Sequence, residues 1–157
     1  MIPSFIIGFF QSVALWVMQT FILDVEPLHP LSLFGVLVLV SWVFVTAIMA
    51  LNTALGPAPG RLATMALMSL QLVASNGLYP PEVQPEFIQW VHSWDPMRYS
   101  VDLVRYALFG TPSYDPRMWT AVTVLLFVGA MSVAISCVAL YARRTWHMKD
   151  LHPELSV

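Results

Sequence analysis

Four histidines, one cysteine and a scatter of serines are the side chains in this sequence that most often bind metals or act as nucleophiles, and their spacing argues against both uses. His29, His92, His147 and His152 form no HExxH run and no paired spacing of the kind zinc needs. Ser12, Ser41, Ser69 and Ser132 lie in apolar runs without a GxSxG turn or a partnering lysine to activate them. Hydroxyls so placed bond to their own helix backbone or to a neighbouring helix. Cys137 is the single cysteine and sits in an apolar run, which fits a small buried hydrophobe and leaves no disulfide framework or CxxC centre. No glycine-rich phosphate loop of Walker type occurs, so any coupling to ATP has to come from a separate ATPase subunit. The sequence reads as non-enzymatic, with no cofactor expected.

Two constellations have spacing suited to binding. Arg98, Asp102 and Arg105 fall on one helical face at separations of four and three, which allows two ion pairs. The same face can instead meet lipid headgroups through Arg98 and Arg105, and both uses stay open. Gln71, Ser75 and Asn76 form a polar track near the end of an otherwise apolar stretch. They serve either as hydrogen-bonding glue between helices, at about 0.6 to 2 kcal/mol each, or as the lining of a polar path or subunit interface.

The elements that position these residues follow from composition. Of 157 residues, 58% are hydrophobic and 10% charged, against roughly 25% charged in a typical globular protein. Mean hydropathy is +0.72. So few charges cannot solvate the surface of a small soluble domain. A disordered chain needs the opposite balance. Seven Lys and Arg against nine Asp and Glu leave no basic field for nucleic acid. The lipid bilayer is the expected solvent.

Four stretches reach the roughly 20 apolar residues that a crossing helix needs: 1–23, 31–55, 61–78 and 119–142. The fold class expected is an all-α integral membrane protein, with residues 1–142 as the transmembrane domain and 143–157 as a cytoplasmic tail. Apart from Arg61 at the edge of the third, none of the four stretches holds Asp, Glu, Lys, Arg or His, which disfavours a proton- or ion-coupled transporter. Pro27 and Pro30 break the first link, and Gly56-Pro57-Ala58-Pro59-Gly60-Arg61 reads as a tight turn. Arg143, Arg144 and Lys149 place the C-terminus in the cytoplasm, and Arg61 agrees, so both termini are expected inside. The first crossing starts at residue 1 without a cytoplasmic lead, from which the back part of something longer, or a partner subunit, is expected.

The region 79–118 is too long for a turn and too apolar for a free loop. Pro85 suits the first turn of a helix in which Phe87, Val91 and Trp94 recur. Asp95-Pro96 then signals a second start, with an N-cap carboxylate followed by proline at the first helical position. Met97, Val101, Val104 and Leu108 give that helix an apolar stripe, and Gly110 is its expected C-cap. Two short amphipathic helices in series are expected to dip into the outer interface or to cap the bundle, with Trp90, Trp94 and Tyr99 at headgroup level.

Gly77-Leu78-Tyr79-Pro80, Glu82, Pro85, Phe87, and then Asp95-Pro96-Met97-Arg98-Tyr99-Ser100-Val101-Asp102 with Arg105 resemble the C-terminal region of the YhgE/Pip (phage infection protein) family. That family is in turn similar to the permeases of ABC type-2 exporters. The resemblance implies that Gly77, Pro80, Glu82, Pro85, Asp95, Pro96, Tyr99, Asp102 and Arg105 belong to a re-entrant motif between the third and fourth crossings. It also implies a permease that works as a homodimer or with a partner permease half, beside an ATPase, in a bacterial plasma membrane. The expected function is export of a lipidic or amphiphilic substrate. The alternatives are a non-transporting receptor or scaffold and a non-functional C-terminal fragment.

Overall fold

The computed structural model describes residues 2–22, 27, 29–75, 85–110 and 116–143. All of its elements are helices, and no strand occurs among the described residues, as expected where lipid cannot satisfy an open sheet edge. In chain order they are α1 (Ile2–Val17), continued by a π-helical turn (Met18–Ile22), α2 (Pro30–Leu55), α3 (Pro57–Ala74), α4 (Glu86–Trp94), α5 (Pro96–Phe109) and α6 (Pro116–Arg143). Three of them are long and apolar enough to cross a membrane, over Pro3–Ile22, Pro30–Leu55 and Arg117–Ala142. The expected third crossing corresponds to α3, which has 18 residues and carries Arg61 in its first turns.

The start of α3 corrects the expected turn at Gly56 to Arg61. Only Gly56 lies outside a helix, at φ 97°, a left-handed value that glycine adopts without a Cβ clash. Pro57 takes the first helical position, and Pro59 also falls in the first turn, where backbone N–H groups have no intrahelical partner to lose. Helices α2 and α3 therefore form a hairpin joined through one residue.

Helix α2 is the hub, packing on α1, α3, α5 and α6. Its Val43 joins Leu103 of α5 with Ala121 and Leu125 of α6 in the buried core, flanked by Val36, Leu39, Val40 and Tyr99. Lipid tails are as apolar as leucine, so helices associate through close van der Waals fit and hydrogen bonds rather than by escape from water. The buried set has that character, with Ser12, Thr46, Ala50, Ala107, Ser132 and Ser136 inside while Ile7, Phe10, Phe127 and Val138 face outward. Glycines mark the tightest approaches: a Cβ on Gly8 would lie 2.6 Å from Ser41 Oγ, and one on Gly129 would lie 3.4 Å from Val43. Ser12 Oγ donates to Gly8 O at 2.9 Å and reaches Leu37 O of α2 at 3.2 Å. Thr46, Ser69, Ser132 and Ser136 bond back to carbonyls of their own helices, as expected of hydroxyls at these sites. Edge-to-face contacts of Phe34 with Phe9 and Trp16, and Trp16 Nε1 donating to Pro30 O at 3.0 Å, complete the α1–α2 seam.

Two further expectations are corrected. Cys137 is exposed on α6 rather than buried, because the buried side of that helix is taken by Ser132 and Ser136. On α5 the buried face is Ser100, Leu103 and Ala107, and the stripe of Met97, Val101, Val104 and Leu108 is only half-buried, about a quarter turn away. Ser100 and Ala107 let α5 approach its neighbours closely, and Leu103 fills the core it shares with α2 and α6. Gly110 does cap α5, but at φ −70°. Its lack of a Cβ is needed for clearance, since one would sit 2.5 Å from Tyr106 O.

Gly60 offers a test of close packing as the organising force. A Cβ there would meet Asn52 Cα at 2.8 Å, whereas one on Gly35 meets nothing within 4 Å. Alanine at either site gains up to about 1 kcal/mol of helix propensity, and overpacking against backbone costs about 1 to 3 kcal/mol. Gly60→Ala is therefore expected to lower resistance to SDS unfolding and Gly35→Ala to leave it equal or raised. The reverse order would contradict the packing described.

Candidate functional site

The buried polar groups of the described residues concentrate where α3 ends against the corner between α4 and α5. Asp95 forms that corner. Its Oδ1 accepts a hydrogen bond from Met97 N at 3.0 Å, and Pro96 occupies the first position of α5, so the expected N-cap is present. Asp95 is only 3% exposed, and its Oδ2 has no hydrogen-bond partner among the described residues. Burial pushes its carboxyl above the ordinary carboxylate range, opposed by the Met97 amide, by His92 and by the Arg98 amide.

The neighbouring groups come from two other helices. His92, on α4, is buried, and its Nδ1 contacts Ala74 O at the end of α3, where helix carbonyls lack intrahelical partners. Gln71, one turn earlier on α3, is 5% exposed, and its Oε1 likewise lacks a partner among the described residues. Ser75 closes α3, its amide donating to Gln71 O at 2.9 Å, and it is buried. Ser100 is buried too and bonds back to Pro96 O at 3.1 Å. His92 thus links the end of α3, where Gln71 and Ser75 are buried, to Asp95.

The charged face of α5 points the other way. Arg98 Nε lies 4.0 Å from Asp102 Oδ2, with both side chains well exposed, and the Arg98 guanidinium also sits 5.7 Å from the Tyr99 ring centre. A pair this exposed contributes a few tenths of a kcal/mol. Arg105 stands on the same exposed face. Tyr99 packs, partly buried, against the core of α2, α5 and α6. Pro85 precedes α4, as its N-cap, and is exposed. Trp90 and Phe87 project from α4, 65% and 63% exposed, on the side away from His92. Gly77, Pro80, Glu82 and Asn76 lie outside the described residues, as do residues 144–157 of the tail.

Two histidines that spacing left unassigned turn out to hold the helical pair in place. His92 occupies the face of α4 opposite Phe87 and Trp90, three residues before Asp95, and that position was its only signal. His29 donates its backbone N–H to Ala107 O at 3.2 Å and stacks on Tyr106 at 6.1 Å, with nothing local in the sequence to announce either contact. At the opposite end of α2 and α6, an apolar groove of 410 Å³ is lined by Ala54, Ala134, Ile135, Val138, Ala139 and Ala142.

Comparison with known proteins agrees with the resemblance read from the residues. The chain is 33% identical over 99 residues to the uncharacterized protein YhgE of Bacillus subtilis (strain 168), a stretch that is 63% of this chain and 12% of the relative. It therefore spans about an eighth of the length of that protein. No solved structure matches it significantly. Residues 1–109 match the family described as ABC-2 type transporter, which takes in α1 to α5. Long apolar helices, a core packed through small residues and this match over well over half the chain lead to one statement: the protein is a multi-pass membrane protein and belongs to the ABC-2 type transporter family.

Proposed function

We propose that the chain is a non-enzymatic permease unit of a bacterial exporter, placed in the plasma membrane and driven by a separate ATPase subunit. The match of residues 1–109 to the ABC-2 type transporter family carries this reading. The substrate class that suits it is lipidic or amphiphilic, because the exposed surfaces of the long helices are apolar and open to acyl chains. The apolar groove at Ala54 and Ala134 suits a helix of a second permease half, either another copy or a partner.

In this reading α1, α2, α3 and α6 are four crossings with both termini in the cytoplasm, and α4 and α5 are a re-entrant or interfacial pair on the outer side. The distribution of residues around α5 supports it. Ser100, Leu103 and Ala107 face the bundle, the half-buried apolar stripe lies on its flank, and Arg98, Asp102 and Arg105 project opposite the bundle. A helix at the membrane surface meets those three environments together. Phe87 and Trp90 then insert at headgroup depth, and Arg98 and Arg105 stand beside the headgroups.

Two experiments test these statements. In a Cys137→Ser background, Ser93→Cys is expected to react with an impermeant maleimide added to intact cells, and Ala58→Cys only after permeabilisation. Labelling of Ala58→Cys from outside would overturn the topology. Gentle solubilisation and affinity isolation from the native membrane are expected to co-isolate a nucleotide-binding ATPase subunit. Isolation with no ATPase subunit, even after cross-linking, would overturn the exporter reading.

A further inference from the structure

We propose that Asp95, together with His92 and Gln71, is a proton-binding latch that clasps the α4–α5 corner to the end of α3. The latch has three parts. Asp95 Oδ1 is committed to the Met97 amide, which starts α5. His92 Nδ1 holds Ala74 O, the last carbonyl of α3. Between these fixed points two acceptors are buried without donors, Asp95 Oδ2 and Gln71 Oε1, on elements that pack together. Two buried acceptors without a donor are costly. One proton from water removes the deficit. Bound at Oδ2, it turns that oxygen into a donor, and Gln71 Oε1 is the acceptor on the neighbouring helix end that it satisfies. Asp95, Gln71 and His92 are each at most 9% exposed, so the acceptors are shielded from bulk water.

Among the described residues, the groups that face Asp95 are few. From α4 comes His92, and from α5 the Arg98 amide, with the Arg98 side chain turned to Asp102. From α3 come Gln71, Ala74 O and Ser75, all uncharged, since Arg61 is ten residues back along that helix. His29 of α2 contacts α5 at Ala107, roughly 18 Å along the helix from Asp95. Burial raises the Asp95 carboxyl in the closed form above its ordinary value of 3.8. A raised carboxyl favours the closed form when protonated, so the latch is tightest at low pH and loosens as pH rises past 3.8 through the closed-form value. The inference does not depend on export and survives if no ATPase subunit is found.

The test uses the full chain in phospholipid nanodiscs with spin labels at Ser69→Cys on α3 and Ser93→Cys on α4, in a Cys137→Ser background. Pulsed electron resonance then reads the separation of the two helices from pH 4 to pH 8. With Asp95 present, a short, narrow distance at low pH is expected to give way to a longer, broader one, the closed-to-open ratio falling by about threefold or more and by at most tenfold per pH unit. Asp95→Asn keeps the cap and places an N–H donor at the second position, so it should hold the short distance across the whole range. Asp95→Ser keeps a capping oxygen and removes the second one, and it should also lose the pH response, which guards against a folding defect in the first variant. A pH response equal to wild type in both variants, or none in wild type, would overturn the latch.

Discussion

The fold rests on how closely other helices can approach α2. In a bilayer, burying a leucine against protein gains little over leaving it in lipid, so contact between helices depends on fit and on polar groups that lipid cannot satisfy. Gly8 and Ser12 bring α1 against Ser41 and Leu37, Gly129 brings α6 against Val43, and Gly60 brings α3 against Asn52. Leu33, Leu103 and Leu125 fill the few large positions inside, and the exposed Ile7, Phe10, Phe127 and Val138 face outward. The arrangement differs from a soluble protein, where those exposed aliphatic and aromatic side chains would also be buried.

Helix α5 docks on the joint surface of α2 and α6 through Ser100, Leu103 and Ala107. The Asp95 corner and the short α4 follow from that docking. The result is a cluster of buried polar groups at the end of α3, with Gln19 and Thr20 a second such place, while Thr46, Ser132 and Ser136 in the body of the bundle bond to helix carbonyls. Groups capable of changing state are thereby kept where helix ends, rather than helix walls, meet.

The class of fold, the extents of α2 and α6 to within a few residues and the Asp95-Pro96 start of α5 were legible in the sequence, because hydropathy and capping are local properties. The buried face of α5 was not. Its most apolar stripe, Met97 to Leu108, faces partly outward, since in lipid the apolar side of a helix is not necessarily the protein side. The helical state of Pro57 to Arg61 was hidden as well, because prolines that break a helix interior also suit its first turn. In the polar layer, Gln71 and Ser75 stood out as polar residues in an apolar run. His92 did not, because its partner is a backbone carbonyl 18 residues away.

The hydrogen bond from His29 N to Ala107 O ties the head of α2 to the tail of α5 using only main-chain atoms. Every amino acid except proline supplies the same donor, and every one supplies the same acceptor. Sequence drift at those two positions can therefore strip the stacking of His29 on Tyr106 and still leave the joint intact. Relatives with no histidine, tyrosine or alanine there can share the same docking, so the geometry is inherited through the backbone while the letters are free to change.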